Sequence, residues 1–247
     1  MSDPQRIYAI GDVHGQLEML RSVHARIEWD LKDRPCDSHV VLHVGDYTDR
    51  GPDSRGVIDY LIGLDAQGAP VINLYGNHDR MFRRFLETPG GRDYKLPREL
   101  CWLHDRLGGR TTMASYGLDL PDDAQYSDGE EYHAAAVAAV PSSHLAFLGD
   151  LRDSYHSGDW FFAHAGVLPG LDLKMQDEDD LMWIRGPFLT SKRDHGATVV
   201  HGHTPVDQVE DHGNRIAIDT GAGYGNPISC IVVEGASARI LDGATLR

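Results

Sequence analysis

The sequence predicts an α/β fold, parallel strands alternating with helices beside a helical insertion, and three observations predict it. Apolar runs rich in β-branched residues, Ile7 to Ile10, Val40 to Val44 and Val71 to Leu74, each stop at a glycine-bearing loop. Each is followed by apolar residues at helical spacing. After a stretch of different character, short strands punctuated by glycine resume at Trp160 and continue to Leu241.

The elements follow in order. Leu17, Leu20, Val23, Ile27 and Leu31 form one face of a first helix that packs back on the strand before it. Pro52-Asp53 suits a helix start, and Val57, Ile58, Leu61, Ile62 and Leu64 continue it. Met81, Phe82, Phe85 and Leu86 mark a third helix, and three such units in succession predict parallel strands joined by right-handed crossovers. From Pro89 to Asp153 the pattern changes to helical segments and polar loops, which predicts a mostly helical insertion or flap. Strands at Trp160 to Ala163, Thr198 to Val200, Ile216 to Ile218, Ile228 to Val233 and Ala238 to Leu241 have short links, which predicts a second, mixed or antiparallel sheet. With 41% hydrophobic residues in 247, one large core is expected, and residues 1–247 read as a single domain carrying the insertion.

Charge narrows the partners. Lys and Arg number 23 against 38 Asp and Glu, a formal charge of -15 that repels a phosphate backbone, so no nucleic-acid partner is expected. An anionic substrate has to be drawn in by local charge, which divalent ions and a few arginines can supply. Cys36, Cys101 and Cys230 are isolated and outside any metal-binding spacing, which fits a reducing cytoplasm. The N-terminus lacks the pattern of a signal peptide and no segment is apolar enough to cross a membrane, so a cytoplasmic, membrane-free protein is expected.

Four short motifs in fixed order carry the chemistry: Gly11-Asp12-Val13-His14-Gly15, Gly45-Asp46-Tyr47-Thr48-Asp49-Arg50-Gly51, Gly76-Asn77-His78-Asp79 and His201-Gly202-His203. Alone, a Gly-Asp pair is a common strand-to-turn device. Together the four supply carboxylate, amide and imidazole ligands without thiolate, a donor set for two divalent ions, with Mn²⁺ the first choice and Fe²⁺, Zn²⁺ or Mg²⁺ also accommodated. Asp46 is the candidate bridging ligand. Asp12 and His14 complete one ion's set, and Asn77, His164 and His203 join Asp46 on the other. His78 is placed to give a proton to the leaving oxygen, with Asp49 holding its imidazole. Arg50 and Arg185, with Asn77, are candidates for the phosphate oxygens, since a guanidinium pairs with phosphate through two hydrogen bonds. His43 reads as a core histidine, and His24, His39, His104, His133, His144, His156, His195 and His212 as surface residues.

The ordered run GDVHG, GDYTDRG, GNHD, HAG, WIRGPF, HGHTP and IDTGAGYG, from Gly11 to Asn226, resembles the phosphoprotein phosphatase branch of the calcineurin-like metallophosphoesterases. The resemblance implies a four-layer α/β/β/α sandwich, a binuclear centre and hydrolysis of phosphoserine or phosphothreonine by in-line attack of a metal-bridging hydroxide. It supports the ligand status of His164, otherwise a lone histidine after Phe161-Phe162-Ala163, and adds His201, Asp219 and Tyr224 around the ligands; His201 is expected to support its loop. His164-Ala165-Gly166, Asp79 and His201-Gly202-His203 stand where the best-known eukaryotic members have HGG, Glu and RAH. These forms resemble bacterial and phage relatives, which also act on some phosphotyrosine. A phosphorylated protein or peptide is therefore the expected substrate. Two other readings are a dinucleoside polyphosphate hydrolase, from whose motif the aspartate matching Asp49 tends to be missing, and an inactive binding scaffold, which should have lost ligands.

Overall fold

A computed structural model describes residues 4–127, 129–243 and 246. Three βα units open it: β1 (Arg6–Ile10), α1 (Leu17–Asp33), β2 (His39–His43), α2 (Ser54–Ala66), β3 (Val71–Asn73) and α3 (Asn77–Glu87). The expected insertion contains α4 (Gly109–Ser115), α5 (Glu130–Ala139) and α6 (Ser142–Gly149). Then come β4 (Ser154–Ser157), β5 (Trp160–Ala163), α7 (Glu178–Trp183), α8 (Gly186–Leu189), β6 (Thr198–His201), β7 (Glu210–Asp211), β8 (Arg215–Ala217), β9 (Cys230–Glu234) and β10 (Ser237–Ile240).

The strands form two five-stranded mixed sheets, ordered β10-β9-β1-β2-β3 and β4-β5-β6-β8-β7. β1, β2 and β3 are parallel, with Ile7 opposite Val40 and Leu42 opposite Ile72. In the second sheet β5, β6 and β8 are parallel, while β4 and β7 close its edges antiparallel. One expectation is corrected. The last two strands do not extend the second sheet: β9 pairs antiparallel with β1, Ile7 opposite Val233, and β10 pairs with β9. A short link fixes which strand is the neighbour along the chain, but not which sheet the hairpin joins.

Strand alternation builds the layers. Ile7 and Ala9 of β1 meet Trp160 and Phe162 of β5 between the sheets, together with Leu42, Val200 and Ile231. Tyr8 and Ile10 turn the other way, under Leu20, Val23 and Ile27 of α1 and Val57 and Leu61 of α2. Phe161 and Ala163 of β5 likewise turn toward Leu181 of α7 and Phe188 of α8. The result is helix, sheet, sheet, helix, a four-layer α/β/β/α sandwich. The insertion packs on α3 through a separate apolar cluster that includes Phe82, Phe85, Trp102 and Met113. Two histidines expected at the surface are buried: His24 of α1 sits against His43 with Nε2 atoms 3.0 Å apart, and His144 of α6 bonds Tyr116. Among the described residues no helix is long and apolar enough to cross a membrane.

Candidate metal centre

The loops after β1, β2 and β3 meet those after β5 and β6 at the carboxyl ends of their strands, where open α/β sheets build sites. Contact between the loops is close enough to require glycine. A Cβ on Gly76 would fall 2.2 Å from the Asp46 amide nitrogen. Among the described residues, five other than glycine have positive φ: His14, Asp46, Asp49, Arg50 and His203. All five are sequence candidates, and such strained backbone persists where surrounding structure over-determines it.

The bracing is visible at the β2 loop. Asp79 accepts the backbone N–H groups of Gly76, Asp46, Tyr47 and Thr48 at 3.2, 2.8, 2.9 and 3.3 Å, which pins the turn carrying Asp46. From the start of α3, the His78 N–H donates to Asp46 Oδ1 at 3.0 Å, so the helix terminus faces a carboxylate. The other Asp46 oxygen looks elsewhere: Oδ2 lies 3.5 Å from His14 Nε2, while Oδ1 lies 3.4 Å from His164 Nε2.

Two groups of buried donors share Asp46: His14, Asp46 and His78 in one, and Asp46, His164 and His203 in the other. His14 donates Nδ1–H to the Thr48 carbonyl at 2.8 Å and His164 donates Nδ1–H to the Val44 carbonyl at 3.0 Å, which leaves both Nε2 lone pairs turned inward. Asn77 Oδ1 stands 3.0 Å from His164 Nε2, and His203 Nε2 is buried without a hydrogen-bond partner. Burial pushes the pKa values of His14, His164 and His203 below the usual histidine range, which favours neutral, ligating imidazole. Burial alone would raise the Asp46 carboxyl, but the imidazoles of His164, His78, His14 and His203 hold it well below its ordinary value. Lone pairs thus converge on lone pairs and on a carboxylate. A divalent cation satisfies that arrangement, and the residues fit one.

The remaining candidates divide. Asp12 is in neither group: its oxygens accept the His203 N–H at 3.0 and 3.3 Å, and His78 stands with His14 and Asp46 instead. His78 donates Nδ1–H to Asp49 Oδ2 at 2.6 Å. Arg50 reaches His14 Nε2 at 2.5 Å and His78 Nε2 at 3.1 Å, and its guanidinium lies 5.1 Å from the Tyr224 ring centre. Arg185 is exposed and donates to the His203 carbonyl at 3.4 Å. Asp219 is buried and accepts the Gly221 N–H at 2.9 Å. His201 lies outside both groups, edge-on to Phe188 with ring centres 5.0 Å apart. Sequence reasoning missed Trp102 and Thr112, which hold Asp49. Trp102 Nε1–H donates to Asp49 Oδ2 at 2.9 Å and Thr112 Oγ1 donates to Oδ1 at 2.7 Å. Both come from the insertion, where no motif marks them.

The chain belongs to the calcineurin-like phosphoesterase family, whose model matches residues 5–228. It is thereby a metal-dependent phosphoesterase. It is 28% identical over 239 residues to the bis(5'-nucleosyl)-tetraphosphatase PrpE (asymmetrical) of Bacillus subtilis strain 168, a match covering 89% of this chain and 87% of that protein. It is also 28% identical over 209 residues to Shewanella-like protein phosphatase 2 of Arabidopsis thaliana, covering 74% of this chain and 52% of that one. A solved structure provisionally named a diadenosine tetraphosphatase matches with a TM-score of 0.64 at 19% identity, over 96% of this chain and 93% of its own, and shows the shared fold.

These relatives correct two expectations. The tetraphosphatase is matched over nearly its whole length, the protein phosphatase over about half of its own, so the chain is not placed in a phosphoprotein phosphatase branch. The phosphorylated protein or peptide falls as the expected substrate with it. The motifs report the metal chemistry common to both activities, so they do not separate one substrate class from the other. Asp49 is held by Trp102 and Thr112 and itself holds His78.

Proposed function

We propose that the protein is a divalent-metal-dependent hydrolase of dinucleoside polyphosphates that divides a tetraphosphate bridge into unequal products, one nucleoside monophosphate and one triphosphate. The observation that carries this reading is the match to nearly the full length of a tetraphosphatase by a chain that keeps every candidate ligand. That complete set also leaves the scaffold reading without support. Asp12, His14 and Asp46 would hold one ion, and Asp46, Asn77, His164 and His203 the other, with Mn²⁺ the first choice for such donors. Ions bound there activate water and polarise phosphoryl oxygens. The thiols of Cys36, Cys101 and Cys230 fit a reducing compartment such as the cytoplasm.

The chain's own residues do the rest. Arg50, poised between His14 and His78, grips non-bridging oxygens as charge spreads over them, and Arg185 and Asn77 assist from the His203 side. His78, fixed through Nδ1 by Asp49, presents Nε2 to the departing oxygen and gives it a proton when protonated. A phosphoanhydride leaves as a stabilised anion, so this donation contributes less than it would for an alkyl ester. The test is turnover of diadenosine tetraphosphate against a phosphoserine peptide by Mn²⁺-loaded protein, with products separated by chromatography. AMP plus ATP is expected, at a kcat/KM about 100-fold or more above that for the peptide. Two ADP would move the cut to the centre of the bridge, and preference for the peptide would overturn the reading.

A further inference from the structure

We propose that Tyr224 is the platform on which a nucleobase of the substrate stacks, an inference that rests on the reading above and names its nucleoside subsite. Tyr224 is 68% exposed, yet it does not lie on a loose loop. Gly221 and Gly225, with φ of 81° and 89°, bracket a single 3₁₀ turn whose Tyr224 and Gly225 N–H groups bond the Gly221 and Ala222 carbonyls at 2.9 Å. Ala222 is buried, and its carbonyl accepts from Gln16 Nε2 at 3.2 Å. A Cβ on Gly223 would fall 2.7 Å from the His14 ring, so the turn is pressed onto the candidate ligands themselves. The fold therefore holds a large aromatic ring at the rim, on a turn against His14 and beside Arg50, and leaves most of it in water.

A charged neighbour of the ring indicates what it meets. Arg50 covers one side, with its guanidinium carbon 5.1 Å from the ring centre, and the same guanidinium touches His14 and His78. A phosphate gripped by Arg50 has a ribose and base attached within reach of Tyr224. Unequal cleavage of a tetraphosphate requires that proximity, because the bond cut then joins the phosphate next to a nucleoside. Every base has a π-face, so such a platform is tolerant of base identity.

The test uses the Mn²⁺-loaded protein with Tyr224→Ala, Tyr224→Phe and Tyr224→Trp. Substrates are diadenosine and diguanosine tetraphosphate, and inorganic tripolyphosphate, which has no base, serves as competitive inhibitor. Tyr224→Ala is expected to raise KM about tenfold or more for both dinucleotides with kcat nearly unchanged, while Phe and Trp keep the wild-type KM within about twofold. The inhibition constant of tripolyphosphate stays constant throughout. An unchanged KM in Tyr224→Ala would sink the platform, as would an equal loss of tripolyphosphate affinity, which would mean that the ring merely steadies Arg50. A wild-type protein inert toward both dinucleotides fails at the earlier step and overturns the functional reading itself.

Discussion

Asp46 joins more of the site than any other side chain. Its two oxygens face different imidazoles, its backbone adopts a φ of 54°, and its amide is pinned by Asp79. Asp46→Asn keeps the shape and removes the charge that two cations would share. Metal content measured by plasma emission and turnover of diadenosine tetraphosphate should both fall, turnover by about 10³-fold or more; a variant with full metal and wild-type rate would rule out a bridging carboxylate. Most residues of the site were legible because each sits beside a glycine in a short motif. His14 precedes Gly15, Asp46 follows Gly45, Arg50 precedes Gly51 and His203 follows Gly202. Their positive φ angles explain that company, since turns of this kind recruit glycine where the chain must reverse. What each residue would touch was less legible. Asp79 reads as a departure from the family pattern, whereas its carboxylate collects three N–H groups of the turn it braces and that of Gly76 at its own helix start.

The insertion shows how an element can be foreseen in outline and missed in purpose. Its helical character follows from composition, but the duties of Trp102 and Thr112 depend on where tertiary packing sets them, and no spacing encodes that. Trp102 stacks on Phe82 with ring centres 5.2 Å apart and lies 4.8 Å from Phe85, while its N–H points at Asp49. Trp102→Phe keeps the stack and deletes the donor. One hydrogen bond to a buried carboxylate is worth about 1.5–3 kcal/mol, so turnover of diadenosine tetraphosphate should drop about tenfold or more as Asp49 loosens its hold on His78. Metal content and the far-ultraviolet dichroism spectrum should not change. A variant that lost metal in proportion to rate would instead assign the insertion a role in holding the loops together. The same limit explains His24: helical periodicity places it on α1 but cannot show that His43 waits on the neighbouring strand, where burial lowers the two imidazoles to about 4 and about 3.

The molecule as a whole sets a long-range field against a short-range one. Three βα units announce parallel strands, so the first sheet was largely readable. The return of β9 and β10 to that sheet was not, because strand pairing is decided by contacts far apart in sequence, Arg6 with Glu234 among them. Charge behaves similarly, in that the sum is readable and its arrangement is not. The formal charge of -15 would repel the proposed dinucleoside polyphosphate at a distance, while Arg50, Arg185 and cations held at the site would attract it there. Screening separates the two. The Debye length is about 30 Å at 0.01 M salt, so an approaching substrate feels the net charge, and about 8 Å at 0.15 M, where only the local cations act. With Mn²⁺ saturating, kcat/KM for diadenosine tetraphosphate should therefore rise, roughly threefold, as sodium chloride increases across that range, the reverse of the usual behaviour of an enzyme that steers an anion. Initial rates at substrate concentrations well below KM measure it directly. A steady decline with salt would show that the cationic mouth dominates at every distance, and that the acidic surface lies where an incoming polyphosphate does not sense it.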